Sequence, residues 1–414
     1  MGDKKRILIL TADAGFGHRS AANAVAEALR LRYGDGCEVK IRNPLDDRRT
    51  PLLLRESSSD YDRIIREAPE LYRLGYETSA LPVTSAIVES ALAVLLFDVM
   101  QDVLREERPD AILTTFPLYQ SALTTIFSLQ RYYIPLLTVI TDLVSIHRLW
   151  FHDKVDACLV PTEIVQEMAR RAGIPEGRIQ ITGIPVSPAI AAETRSRREL
   201  RQALGWDANR LTFLAVGSKR VGNLPMVLDV LNHAGYPVQL AVSAGRDEEL
   251  YRQLCETEWH VPTHLYEYVS NMPEMMKAAD VLVCKAGGLI VTEALAAGLP
   301  LMLVDVLPGQ EEGNARYVID RGAGVLVEDP MSVLQTLRHW TLDRRRELQG
   351  FAMRAQHLGR PRAAERVAQL LWAAAQRGPI DKRGRHIIGR RSLSEQFNRN
   401  YQRLKTAAGP RKKG

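Results

Sequence analysis

Short apolar runs rich in β-branched residues recur along the chain, separated by stretches whose apolar positions follow helical spacing. In the first half they cover 6–12, 38–41, 111–116, 136–141, 157–160 and 179–182. In the second they cover 211–216, 238–242, 264–268, 281–284, 301–306 and 324–327. Runs without polar alternation predict strands buried on both faces, and helices between them predict a doubly wound parallel sheet. Two such sets predict an α/β protein with two sheets. Between them, Gly183 to Pro188 includes Pro185 and Pro188, neither able to continue a ladder, and forms the natural linker.

Other stretches refine this picture. From Ser79 to Glu107, Ile87, Ala91, Leu95 and Val99 stand four apart, with Glu89, Asp98 and Asp102 keeping a polar side, which predicts one long helix. Residues 51–78 break the alternation and read as an insertion suited to acceptor specificity, or as an irregular lead-in to that helix. The segment 111–130 lacks charges but carries Thr, Ser, Gln and Pro117, so it reads as a strand and a helix and not as a membrane span. The domain boundaries that follow are 1–186, 187–360, a closing helix over 361–376, and a tail over 377–414.

A chain of 414 residues suits two domains of roughly 150–200 residues each. The four cysteines (Cys37, Cys158, Cys255 and Cys284) form no CxxC pair, which argues against a disulfide framework or a zinc site. The N-terminal apolar run is too short for a signal peptide, and Lys5-Arg6 stand where a myristoylation signal wants Ser or Thr. From Arg377 onward, twelve Lys and Arg face only Asp381 and Glu395, a local +10; with +6 overall, the remaining chain carries −4. Such a tail suits anionic lipid headgroups or nucleic acid, or is simply a solubilising end.

Ligands of open parallel sheets sit beyond the carboxyl ends of the strands, so chemistry is sought after each run. The first is followed by Ala14, Gly15, Phe16, Gly17, His18 and Arg19, opening a helix predicted over 20–31. The glycines permit a tight turn and close approach, and a helix start offers free amides to an anion. A dinucleotide fingerprint wants glycine where Ser20 stands, and His18 is bulky where a pyrophosphate would lie, which argues against NAD. The helix dipole disfavours an imidazolium there, so His18 suits a neutral base; a structural histidine is the plainer alternative.

The run from Thr141 to His152 follows the fourth strand and gathers Asp142, His147, Trp150 and His152 in one loop. Without HExxH spacing or a further carboxylate it is a poor metal set. It reads as groups orienting an acceptor hydroxyl beside an aromatic wall, or as a loop packed on its own tryptophan. Val216 to Gly222 is a short phosphate-cradling turn with Gly217 and Ser218, without Walker spacing. The densest set is Lys285, Gly287 and Gly288, then Thr292 and Glu293, then Gln310, Glu311 and Asn314. Its glycines admit a diphosphate, Glu293 suits ribose hydroxyls, and the last three suit a hexose. Asp60-Tyr61-Asp62 follows serines in place of an apolar strand and reads as a loop or cap. With no metal expected, helix N-termini and Lys219, Arg220 or Lys285 would neutralise a diphosphate leaving group.

At these residues the chain resembles the monogalactosyldiacylglycerol synthase and processive diacylglycerol glucosyltransferase family, related to the lipid II-forming N-acetylglucosaminyltransferase (glycosyltransferase family 28). The turn at Gly15–His18, the Trp150-Phe151-His152 ending, Lys285–Gly288 with Thr292-Glu293, and Pro308–Asn314 stand in family order over about residues 5–355. The turn at Gly217–Gly222 is less glycine-rich than the family's, and the basic tail lies beyond its pattern.

The resemblance implies a GT-B architecture of two Rossmann-like domains facing a central cleft, and inverting transfer of galactose or glucose from a UDP-sugar to diacylglycerol. No cofactor or metal is implied; the UDP-sugar is a co-substrate. His18 would be the base and Glu293 would hold the ribose. Gln310 and Glu311 would hold sugar hydroxyls, and Gly217, Ser218 and Lys285 to Gly288 would flank the diphosphate. Val269, Thr292 and Asn314 join the donor side; Gly15, Gly17, Asp142, His147 and Trp150 join the acceptor side. The expected setting is the cytoplasmic face of the cell membrane, held peripherally at an anionic surface, with no nucleic-acid partner. The alternatives are a polyprenyl-linked or other lipid acceptor, or nucleotide-sugar binding without catalysis.

Overall fold

The computed structural model describes residues 4–13, 16–50, 55, 82–130, 132–218, 221–307, 311–342 and 345–381. Gly15, the Asp60-Tyr61-Asp62 triplet, Lys219, Arg220, Gln310, all of 51–78 except Arg55, and the tail beyond Asp381 lie outside these residues.

The chain divides into two compact units. In the first, β1 (Lys5–Leu10), β2 (Cys37–Arg42), β3 (Ala111–Thr114), β5 (Leu136–Val139), β6 (Ala157–Val160) and β7 (Ile179–Ile181) form a six-stranded sheet. Its order is β2-β1-β3-β5-β6-β7, and every neighbouring pair is parallel. A short β4 (Tyr132–Tyr133) stands apart from it. The second unit holds β8 (Leu211–Val216), β9 (Val238–Ser243), β10 (Thr263–Tyr266), β11 (Val281–Cys284), β12 (Leu301–Leu303) and β13 (Gly324–Leu326). Their order is β10-β9-β8-β11-β12-β13, again all parallel.

All twelve apolar runs thus form strands; the inner ones are buried on both faces of their sheets, while the edge strands β2 and β10 are partly exposed. In β1, Leu8 and Leu10 enter one core while Ile7 and Ile9 enter the core on the opposite face. Several strands end one to three residues before their apolar run does. The run over 301–306, for example, pairs only through Leu303, and its last residues turn into the loop that carries the candidate site.

The stretch predicted as one helix over 79–107 is two helices, Pro82–Leu95 and Phe97–Glu107, joined at Leu96. Leu96 is fully buried with φ −98° and ψ 0°, and Leu92, Leu96, Phe97, Met100 and Leu104 all reach one core. The break turns the apolar stripe so that both segments face it. The first helix spans Phe16–Tyr33 and starts before the predicted 20, which puts Gly17 and His18 inside its first turn.

The chain passes to the second unit between Pro185 and Val186 and returns at the closing helix, Ala363–Arg377. Val367, Ala368, Leu371, Ala374 and Ala375 recur at helical spacing and pack on the first sheet with Ile7, Ile9 and Val25. Ile380 and Asp381 then form β14, antiparallel to β4. Among the described residues no helix is long and apolar enough to cross a membrane.

Candidate active site

In the first sheet the connections run to opposite sides of β1: β2 lies on one edge and β3 on the other. The crevice at such a switch point, beyond the carboxyl ends, is where open α/β sheets bind ligands. His18 stands there, in the first turn of the helix Phe16–Tyr33. Its ring meets Phe116 edge-on at 5.0 Å between centroids and lies 5.9 Å from Trp150. The Thr141 hydroxyl, just past β5, hydrogen-bonds His18 Nδ1 at 2.8 Å, and the Thr115 hydroxyl donates to the His18 carbonyl at 3.1 Å.

Burial lowers the His18 pKa from 6.5 to about 4, against a hydrogen bond with the Thr115 backbone that raises it. The positive end of the helix dipole acts in the same direction as burial. At neutral pH the imidazole is therefore uncharged, with a lone pair able to take a proton. Beside it, Asp13 accepts both arms of Arg19 at 2.8 Å, which lowers the Asp13 pKa. Asn43, after β2, donates to Asp13 at 3.3 Å, and the buried Tyr119 hydroxyl donates to the Thr11 carbonyl at 2.9 Å.

The structure separates the four residues that the sequence gathered in the loop after β5. Residues Asp142–Ser145 pack with the second unit, whereas Ile146 onward belongs to the first. Burial, and secondarily the charge of Glu311, raises the Asp142 pKa to about 7. His147 Nδ1 accepts from the Leu149 amide at 3.2 Å and caps the short turn Arg148–Trp150. His152 bonds the Thr124 hydroxyl and the Lys154 amide, so its ring serves its own loop. Trp150, from the same run, is placed against His18.

In the second unit, β8 leads into Gly217, whose amide donates to the Ser243 carbonyl at 2.8 Å. A Cβ on Gly245, at φ +65°, would strike the Gly217 carbonyl, so the loops after β8 and β9 approach as only glycine allows. After β11, Gly287 takes an extended conformation ahead of the helix Gly288–Ala297 and makes no side-chain cap. Lys285 folds over this turn, its Nζ 3.5 Å from where a Gly287 Cβ would stand. The result is a set of helix-start amides beneath an ammonium group, an arrangement that attracts a diphosphate.

Glu311 is buried and pairs with Lys285 through one oxygen, while the other accepts from the Leu307 amide at 3.2 Å. Asn314 is buried as well, donating to the Ala286 carbonyl at 3.1 Å and accepting from the Leu143 amide at 3.3 Å. Thr292 donates to the Gly288 carbonyl at 2.6 Å. These three bond within the turn and to the loops beside it. Glu293, one turn into the helix, has its pKa raised to about 7 by burial. Val269 is half-buried in the loop after β10, beside the exposed Tyr268. Among the described residues, no group of three or more His, Cys, Asp or Glu is placed to hold a metal ion.

The sequence reading did not single out Asn43, Phe116, Tyr119, Thr141 or Gly245. Each follows a strand closely, which was the available signal.

The family model for monogalactosyldiacylglycerol (MGDG) synthase matches residues 18–186, and that for the glycosyltransferase family 28 C-terminal domain matches residues 218–367. The chain is 30% identical over 375 residues to the chloroplastic monogalactosyldiacylglycerol synthase of Spinacia oleracea, covering 88% of this chain and 71% of that protein. It is 30% identical over 369 residues to monogalactosyldiacylglycerol synthase 3 of Arabidopsis thaliana, covering 87% and 79%. Among solved structures, MurG of Acinetobacter baumannii aligns with a TM-score of 0.56 at 16% identity over 90% of this chain and 100% of that one. CalG4, the calicheamicin glycosyltransferase, aligns at 0.57 and 14% identity over 91% and 99%. At such identities these two likenesses concern the fold, the two-sheet GT-B architecture.

Proposed function

Because the chain belongs to the monogalactosyldiacylglycerol synthase family of glycosyltransferases, we propose that it moves galactose or glucose from a UDP-sugar to diacylglycerol. The reaction inverts the anomeric carbon and uses no bound metal. The observation that carries this reading is the placement of His18, held at Nδ1 by Thr141 at the switch-point crevice of the first sheet, where burial lowers its pKa.

The acceptor hydroxyl gives its proton to His18 as its oxygen attacks the anomeric carbon. The new C–O bond forms as the bond to the β-phosphate oxygen breaks, and UDP leaves with the electron pair. The proton passes from His18 to solvent. General-base help of this kind contributes about 10²–10⁴-fold.

The donor is held on the second unit. The amides from Gly288 onward and Lys285 take the diphosphate, Glu293 takes the ribose, and Gly217 and Ser218 flank the phosphates. Glu311 acts by aiming Lys285, since both its oxygens are engaged. Negative charge growing on the leaving diphosphate meets dipoles already in place, a contribution comparable to or larger than the base. The protein works peripherally at the cytoplasmic face of the membrane, with the basic residues beyond Asp381 facing anionic lipid.

An assay offering UDP-galactose or UDP-glucose, with diacylglycerol or a polyprenyl-linked acceptor, in the presence of EDTA tests this reading. The expected product is monohexosyldiacylglycerol at an undiminished rate. Transfer to the polyprenyl lipid alone, loss of activity in EDTA, or UDP-sugar binding without transfer would each overturn the corresponding part.

A further inference from the structure

Strands β8, β11 and β12 are neighbours in the second sheet, so the loops beyond them stand side by side. One residue touches all three. Asp305, just past β12, accepts the Asn223 amide on Oδ2 at 3.0 Å and the Asn223 side-chain amide on Oδ1 at 3.0 Å. The Asp305 backbone carbonyl accepts from the Ala286 amide at 3.0 Å, inside the turn after β11. Asn223 Nδ2 reaches the Val304 carbonyl as well, at 3.2 Å.

Asn223 occupies the N-cap position of the helix Leu224–His233, yet makes no side-chain cap. An N-cap asparagine ordinarily satisfies an amide of its own helix. Here its side chain is committed to Asp305, which pins the far end of the loop that begins at Gly217.

We infer that Asp305 is a positioning residue for the donor diphosphate, fixing the loop after β8 against the turn after β11 through Asn223 and Ala286. The inference rests on the donor assignment proposed above and deepens it: Asp305 touches no substrate and acts through backbone that does. Its effect is therefore specific to ligands that carry phosphates.

Calorimetric titration of Asp305→Ala, Asn223→Ala and the double variant with UDP and with uridine tests this. Each single change should weaken UDP about tenfold, the loss that follows from one charged hydrogen bond, and leave uridine within twofold. The double variant should be no more than about threefold worse than either single, because the two side chains form one clasp. Asp305→Asn, which keeps an acceptor for one amide, should recover part of the loss. Unchanged UDP affinity, an equal loss of uridine and UDP, or additive losses in the double variant would overturn the positioning role. Asn223 is exposed, so Asn223→Ala alone decides the matter if Asp305→Ala does not fold. Wild-type protein without UDP affinity would overturn the donor assignment together with this inference.

Discussion

The base role proposed for His18 and the environment of its ring make separate predictions for turnover and for stability. His18→Ala should lower kcat by at least about 10² while leaving UDP affinity within twofold, as read by initial rates and calorimetry. The folded pKa of about 4 lies below the ordinary 6.5. Between those values the unfolded chain binds a proton that the folded protein refuses, so stability falls as pH drops through that window. Urea melts at pH 5 and 7 should show His18→Gln losing less stability on acidification than wild type. Glu293 has the opposite sign: burial raises it from 4.5 to about 7. The folded protein holds a proton that the unfolded chain has released, and stability falls as pH rises through that window. Glu293→Gln should therefore melt higher than wild type at pH 8, by about 1 kcal/mol once solvent screening is allowed for, and bind UDP at least tenfold more weakly. A variant that gains stability and keeps full UDP affinity would remove Glu293 from the donor site. The positions of His18 and Glu293, each in the early turns of a helix that follows a strand, were legible in the sequence from the apolar run and the glycines after it. The bonds that Glu311 and Asn314 make to the turn and the loops beside it were not, because residue type does not say which way a side chain turns.

At the scale of elements, what mattered was where strands stop. The inner strands were legible because burial on both faces leaves an unbroken apolar run. The break at Leu96 was not, since Leu95, Leu96 and Phe97 are apolar in sequence and only the shared core decides that the stripe must turn. The early start of the first helix was hidden by Gly17, which reads as a loop residue. Gly245 shows the same limit: a single glycine after β9, whose positive φ and contact with Gly217 exist only in the folded sheet. Gly245→Ala should cost about 1–3 kcal/mol of stability, measured by denaturant unfolding. It should weaken UDP more than uridine, because the displaced neighbour is the Gly217 carbonyl. Unaltered stability would show that the two loops part freely.

For the whole molecule, the uneven charge and the path of the chain belong together. The closing helix returns to the first unit, and β14 ties Ile380 and Asp381 to Tyr133 and Tyr132, just ahead of most of the basic residues in sequence. Removing residues 382–414 preserves that pairing, whereas removal from 377 would destroy it. The 382–414 truncation should keep turnover on detergent-dispersed diacylglycerol within twofold. It should lose most binding to anionic vesicles, with a salt dependence seen in the full chain alone; equal binding by both would assign the membrane contact to the folded units. The central claim is that this chain transfers a hexose to diacylglycerol in one inverting displacement. Its most direct test is the anomeric configuration of the glycolipid formed from diacylglycerol and an α-linked UDP-hexose, read from the anomeric-proton coupling by NMR. A β-linked product is predicted; an α-linked product, or no glycolipid at all, would contradict the account.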